Sequence, residues 1–329
     1  MIKLSIIIPM YNVEKYIENC ILSVIVNNLS VEDYEIIVVD DQSPDNSLSI
    51  VHNLMRDFKQ IKLLSQLNKG LGGARNSGIY KAKGAYVLFL DSDDYLKENA
   101  LKNILYYAIE YDLDILEFGA IGVSEKGNEV YRYSGFTEKS QNGFDYLSSN
   151  LLMESACNKL YKVKFLLDNN LCFKERIFIE DFEFNTRAFF YAKKVRSIDI
   201  ILGCFVQTLN SITRNTSKLK KLKMLNDIEE VIDLSLGFKN SQYNLNPIEQ
   251  NVFTKRHSFL TITFFYHLFK SNISIEEKKE SIERFRCKNM YPIVIKLKPT
   301  SKNIFKFIVN NKFLFIQLCR LHKLLNKYR

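Results

Sequence analysis

Four short runs of branched apolar residues constrain this chain more than any other feature: LSIIIP at 4–9, EIIVV at 35–39, IKLLS at 61–65 and AYVLFL at 85–90. Runs this short, apolar on both sides of the period, suit strands covered on both faces. The stretches between them, 14–27, 45–58 and 71–82, carry apolar residues at helical spacing. Strand and helix in alternation predict an α/β fold with an open, mostly parallel sheet flanked by helices, so residues 1–95 read as a nucleotide-binding type of unit.

Beyond residue 95 the pattern is less regular. Residues 98–112, 142–152 and 180–194 have helical spacing, 114–136 read as strands with a turn at 125–128, and 195–206 read as a strand pair. From about 215 the chain is helical, over 217–238, 247–270, 274–287 and 301–327. This divides it into an α/β domain over 1–215 and a helical C-terminal region over 216–329, a partition that suits 329 residues.

Charge is unevenly placed. The last acidic residue is Glu283, and the twelve Lys/Arg of 284–329 exceed the whole net charge of +9, so the body of the chain is slightly acidic. A nucleic-acid enzyme needs its cations along the main cleft to neutralise phosphates, so nucleic acid is not the expected partner. No run approaches the length of a spanning helix. The N-terminus, MIKLSIIIPMYN, has no small-residue cleavage site and reads as a first strand rather than a leader. The six cysteines are far apart, with no C-x-x-C and no Cys/His cluster, which argues against zinc and a disulfide framework and makes the cytoplasm the expected compartment.

Each apolar run ends in polar residues: Pro9-Met10-Tyr11-Asn12, Asp40-Asp41-Gln42-Ser43, Gln66-Leu67-Asn68-Lys69-Gly70, and Asp91-Ser92-Asp93-Asp94. Ligands of open α/β sheets bind at the carboxyl ends of strands, where helix N-termini and loop amides converge. Three carboxylates within four residues at 91–94 repel one another unless a cation neutralises them, and hard oxygen ligands of this kind suit Mg²⁺ or Mn²⁺ with phosphate. A plain helix cap would need only one of them. Asp40 and Asp41 offer acceptors for a ribose or a pyrimidine imide, while Ser43 and Pro44 read as a helix start. Gly70-Leu71-Gly72-Gly73-Ala74-Arg75-Asn76 is a glycine-rich helix entry. Its Arg75 offers a guanidinium to a base or phosphate, or pairs with a nearby Asp. Neither G-x-G-x-x-G nor G-x-x-x-x-G-K-[ST] follows the first strand, which argues against a dehydrogenase and a P-loop NTPase.

With these motifs in order, the sequence resembles the inverting nucleotide-sugar glycosyltransferases of family 2, which have the GT-A fold. The resemblance rests on SIIIPMYNVEKYIENCILSV, EIIVVDDQSPDNS, NKGLGGARNSGIYKAKGAYVLFLDSDD, NKLYKVKFLLDNN, FIEDFEFNTRA and NSITR, roughly residues 3 to 215. It implies a nucleotide-binding half over 1–95 and an acceptor half over 96–215. It implies that Tyr11 lies against a uracil ring, with Pro9 shaping the turn, Asn12 and Ser92 close by, Asp40 or Asp41 bonding the base and Arg75 flanking the nucleotide. Asp91 and Asp93 match the D-x-D pair, Asp91 near the ribose and Asp93 toward a Mn²⁺ or Mg²⁺ on the diphosphate. Glu180-Asp181 matches the family's ED pair, with Asp181 as base and Glu180 or Glu183 as fallback; a helix N-terminus favoured by negative charge is the alternative. Lys159 and Arg214 fall in matched segments and reach phosphate or acceptor, or are solvated surface charges. Gln42 stands where the family commonly has Gly.

The implied activity is metal-dependent, inverting transfer of a sugar from a nucleotide sugar, UDP above others, to a hydroxyl of a glycan or lipid-linked acceptor in surface polysaccharide synthesis. A sugar nucleotidyltransferase and a non-catalytic nucleotide- or glycan-binding module are the alternatives. A nucleotidyltransferase would want a glycine- and basic-rich loop where PMYN stands. In the tail, Ile304, Phe307, Ile308, Leu314, Phe315, Leu318, Leu321 and Leu325 recur at helical spacing opposite Lys306, Asn310, Gln317, Arg320, Lys323 and Lys327. One amphipathic helix of this kind either lies on an anionic membrane at the inner face or packs on the body of the protein.

Overall fold

The four apolar runs become β1 (Leu4–Met10), β2 (Tyr34–Asp40), β3 (Ile61–Ser65) and β4 (Tyr86–Phe89) in a computed structural model that describes residues 2–149, 152–207, 217–296 and 300–325. Between them run α1 (Ile17–Ile25), α2 (Ser47–Asp57) and α3 (Gly70–Lys81). All four strands are parallel neighbours in the order β3-β2-β1-β4.

Both faces of this sheet are covered, which is why the strands read as continuous apolar runs. Leu4, Ile6, Ile8 and Met10 point into one core with Ile36, Val38 and Leu88, against Ile17, Cys20, Ile21 and Val24 of α1 and Val51 and Leu54 of α2. Ile7 points the other way, toward α3. A Cβ on Gly78 of α3 would lie 2.4 Å from the Ile7 Cγ2, so the glycine lets this helix sit closer to the strand than any side chain would permit.

The rest of the first unit comprises β5 (Tyr95–Leu96), α4 (Leu101–Glu110), β6 (Ile115–Ser124), β7 (Glu129–Tyr133), α5 (Gly143–Ser149), β8 (Lys159–Lys162), α6 (Val163–Asp168), α7 (Glu180–Tyr191) and β9 (Val195–Gln207). Among the described residues they extend one sheet in the order β3-β2-β1-β4-β8-β6-β9-β5, with β7 on β6. This half is mixed: β8 is antiparallel to β4 and β6, β9 is parallel to β6, and β5 is antiparallel to β9. The strand pair expected at 195–206 is one strand. Its pairing to β6 jumps from Phe118↔Ile198 to Gly119↔Ile201, and the bulged Asp199-Ile200 gives the sequence its two-part look.

The chain divides into two compact units, Met1–Ser211 and Ile212–Arg329. The second contains α8 (Lys218–Ser241), α9 (Pro247–Lys270), α10 (Ile275–Cys287), α11 (Thr300–Asn310) and α12 (Lys312–Leu325). Asn246 with Glu249, and Ser274 with Glu277, form capping boxes that start α9 and α10. Phe265 packs against Phe285, Tyr291 and Phe315 at ring separations of 5.3–5.8 Å.

The single tail helix expected over 301–327 is instead two. Asn310 turns its amide onto the N–H and carbonyl of Ile293, and the Asn311 side chain accepts from the Leu314 N–H to start a new helix. The apolar face is accordingly divided: Val309, Phe315, Ile316 and Cys319 are buried, while Ile304, Phe307, Phe313, Leu314, Leu321, Leu324 and Leu325 are exposed. Among the described residues no helix is long and apolar enough to cross a membrane.

Candidate active site

The carboxyl ends of β1, β2 and β4 lie side by side, with Met10 paired to Asp40 and Ile7 to Phe89. Pro9 is buried within β1, and Tyr11 follows with its ring half open to solvent. The Asn12 N–H donates to the Ser43 Oγ at 2.8 Å and the Glu14 N–H to Asp45 at 2.8 Å, which fastens the first strand's loop to the second's. Gln42, where the family commonly has Gly, takes the left-handed φ of 67°. Glycine would adopt that angle without steric cost.

The two aspartates of this edge have different work. Asp40 Oδ1 accepts the Ser43 N–H at 2.9 Å, and its other oxygen has no partner among the described residues. Asp41 is fully engaged: Oδ1 accepts from the Gln66 side chain and the Lys69 N–H, and Oδ2 from the Gly70 N–H. Both oxygens of Asp41 thus satisfy the free amides that open α3, and it anchors that helix.

From this anchor, α3 runs against the 173–174 segment. A Cβ on Gly72 would stand 2.3 Å from the Lys174 carbonyl oxygen, so only glycine fits there. One turn on, the Asn76 amide exchanges two hydrogen bonds with the Phe173 backbone, at 2.9 and 2.7 Å. Arg75 is thereby driven inward, its side chain 1% exposed, with the guanidinium 5.2 Å from the Phe173 ring.

Three carboxylates meet on that guanidinium. Nη2 contacts Asp91 at 2.7 Å, and Nη1 contacts Glu180 at 2.8 Å and Asp181 at 2.6 Å. Of the two readings open to Arg75, pairing with aspartate is the one the structure shows. It joins the D-x-D and ED segments into one site. Asp91 and Asp181 keep about a third and a fifth of their side chains exposed, whereas Glu180 keeps under a tenth. Burial pushes the Glu180 and Asp181 carboxyls up, with Arg75 opposing. Asp181 Oδ2 also accepts the Ala156 N–H at 3.0 Å, which aims the carboxylate. Ile179, just before the pair, is held at φ 58°, a left-handed conformation that a β-branched residue adopts only under constraint.

At the β4 end, the Asp94 N–H folds back to the Asp91 carbonyl, and Asp94 Oδ1 accepts the Val206 N–H from β9 at 2.7 Å. Ser92 is buried in the turn. Asp93 is half-buried; burial and then Asp91 push its carboxyl up to about 6. Asp94 is raised by burial and by both neighbours. Among the described residues only Arg75 offsets this acidity, and no group of three or more His, Cys, Asp or Glu forms a ready-made metal cage. The donor set fits a hard divalent ion of the kind held by one or two carboxylates with substrate phosphate completing the shell.

Lys159 is neither at the rim nor on the surface. Its ammonium is fully buried, 3.2 Å from Glu117, and donates to the carbonyls of Met153 and Ser155 and to Asn158 Oδ1. It braces the segment that supplies the Ala156 N–H. Arg214 lies outside the described residues. Glu183 is engaged by Arg187 at 2.6 Å. No motif or spacing singles out Glu117, whose partners Tyr133, Tyr146 and the adjacent Asn158 and Lys159 come from three separate segments.

The parallel half-sheet, its mixed extension and the acidic rim define a GT-A type of α/β fold. Residues 5–168 match the model for glycosyl transferase family 2, and the chain belongs to that family. It is 34% identical over 220 residues to the uncharacterized glycosyltransferase EpsJ of Bacillus subtilis, covering 64% of this chain and 62% of that one. It is 35% identical over 196 residues to a poly(ribitol-phosphate) beta-glucosyltransferase of Bacillus spizizenii, covering 59% and 30%. The chain thus spans less than two thirds of these relatives. The fold matches Staphylococcus aureus TarS residues 1–349 in complex with UDP-GlcNAc, with a TM-score of 0.69 at 22% identity over 98% of this chain and 92% of that one. It also matches a Pyrobaculum calidifontis mannosyltransferase solved with GDP-Man and Mn²⁺, with a TM-score of 0.56 at 12% identity over 99% and 88%.

Proposed function

We propose that the protein is an inverting, metal-dependent glycosyltransferase that moves a sugar from a UDP-sugar to a hydroxyl of a glycan or lipid-linked acceptor in surface polysaccharide synthesis. The observation that carries this is the convergence of Asp91, Glu180 and Asp181 on one buried guanidinium, with Asp93 beside them. A donor-side carboxylate and a candidate base then share a single rim. Further support comes from relatives named for sugar transfer to poly(ribitol-phosphate) and from a neighbour of this fold that holds UDP-GlcNAc.

In this reading residues 1–95 take the nucleotide and 96–215 the acceptor. The open ring of Tyr11 stacks on the uracil, and the unengaged oxygen of Asp40 accepts its imide N–H, with Pro9, Asn12 and Ser92 shaping the turns around them. Asp93, with Asp91, would hold a Mn²⁺ or Mg²⁺, and that ion when bound supplies charge stabilisation to the departing diphosphate. Asp181, partly exposed and held by Arg75 and the Ala156 N–H, takes the proton from the acceptor hydroxyl as it attacks the far face of the sugar. No protein nucleophile is needed for inversion. We place the enzyme at the inner face of a membrane, where the basic C-terminal helices meet anionic lipid and lipid-linked acceptors are found.

A panel of nucleotide sugars, incubated with the protein and Mn²⁺, Mg²⁺ or a chelator and scored for nucleotide release, tests the reading. Release from a UDP-sugar that the chelator stops is expected. No release from any donor with either metal would overturn it.

A further inference from the structure

Deepening the membrane reading just given, on which it rests, we propose that the C-terminal unit contains a headgroup site for an anionic phospholipid. The site is a cavity of about 200 Å³ where the end of α9, the start of α10 and α12 meet, lined by Ser271, Asn272, Lys278, Cys319, His322 and Lys323 among others. Among the described residues no carboxylate lines it.

Lys278 is the built element of this site. Its side chain comes from α10 and is almost wholly buried. Its ammonium donates to the carbonyls of Phe269 at 3.3 Å and Ser271 at 3.0 Å, two neutral acceptors at the end of α9. Among the described residues no acid pairs with it. A buried cation without a counter-ion is costly, and an anion in the cavity would offset that cost. The charges around it have the same sign: Lys278, Lys221 and Lys270 all bear on His322, which lies 4.5 Å from the Phe269 ring. The nearby acids are engaged elsewhere, Glu276 with Lys279 and Glu277 with the Ser274 N–H.

The same helix that supplies His322 and Lys323 also presents Leu321, Leu324 and Leu325 to solvent, more than half exposed. A free phosphate ion would use the cations and leave these leucines in water. A phosphodiester carrying acyl chains uses both. An amphipathic surface helix with a basic and an apolar side is suited to the headgroup–acyl boundary, and the acid-free stretch after Glu283 extends that field.

The test is flotation of the full chain with phosphatidylcholine vesicles, with and without phosphatidylglycerol, with donor hydrolysis measured in parallel. The wild type should float only with phosphatidylglycerol, and less as salt rises. The double variant His322→Gln/Lys323→Gln should lose on the order of fivefold in partition for the Lys323 charge it removes, and Leu321→Ser/Leu324→Ser/Leu325→Ser should lose at least as much, both with hydrolysis unchanged. Lys278 is left intact because its ammonium also closes α9. Wild-type flotation with an unaffected His322/Lys323 double variant would overturn the headgroup site and leave the membrane reading standing. No flotation of the wild type would overturn both. Displacement from vesicles by inorganic phosphate, or leucine variants that dissociate an oligomer, would overturn it in favour of a soluble anion or a second copy of the chain.

Discussion

Replacing Arg75 with Met keeps the bulk of the side chain and removes its charge. The guanidinium is 1% exposed and lies within 2.8 Å of Asp91, Glu180 and Asp181. At an effective dielectric near 20, a unit-charge pair about 4 Å apart attracts by about 4 kcal/mol. Desolvation of all four groups offsets much of the sum, and Asp91, nearly a third exposed, is partly screened. What survives is the penalty of stranding buried carboxylates without their cation, about 3–5 kcal/mol. The loss has a pH signature. Burial already raises the Glu180 and Asp181 carboxyls, and removing Arg75 raises them further. An acid whose folded pKa lies above its unfolded value binds more protons when folded, so stability falls as pH rises through that window. Urea unfolding of wild type and variant should therefore show a larger deficit at about pH 8 than at about pH 5. A deficit under about 1 kcal/mol, equal at both values, would refute the view that one guanidinium holds the site together.

Other outcomes follow from the same geometry. Asp181→Asn should lower transfer by about 10²–10⁴ while donor affinity in calorimetry stays within a few-fold; unchanged turnover would remove Asp181 as the base. Ile179→Gly loses apolar contact but relieves about 1–3 kcal/mol of left-handed strain, so stability should change little while transfer falls as the Glu180-Asp181 turn loosens. A loss of several kcal/mol would show that no strain is stored there. His257 is buried against the Ser235 Oγ, and burial, then Lys239 and Arg256, hold it down to about 4. Its folded pKa lies below its unfolded one, so its contribution is complete above about pH 6.5 and fades by about 3 kcal/mol as pH falls to about 4. Thermal unfolding of His257→Gln should lack that part of the slope, and an identical slope would contradict it.

What was legible in the sequence is what local pattern encodes. β1 to β4, α1 to α3, the β6–β7 turn and the ED helix start can be read because burial on both faces and helical spacing write themselves into neighbouring residues. Gln42 could be flagged because the resembled family commonly has Gly there, and the structure shows the left-handed backbone behind it. Other elements left no such trace. β5 is two residues long, β8 four, and each exists through pairing to a distant strand. The break at Asn311 depends on Asn310 finding Ile293.

The site divides the same way. Acidic clusters after apolar strands announced which residues carry chemistry, and the order of six quoted segments carried the resemblance to a family. Their roles waited on tertiary structure. Arg75 and Asp181 are 106 positions apart, and no pattern within a window says that a cation from a glycine-rich helix will be buried between two acidic motifs. Lys159 reads as a phosphate or acceptor contact or as a surface charge until Glu117 arrives from a neighbouring strand. A side chain's chemical type is fixed by the sequence, but whether its charge faces a ligand, a counter-ion or water depends on which segments are folded against it, and burial decides that only when the sheet has closed.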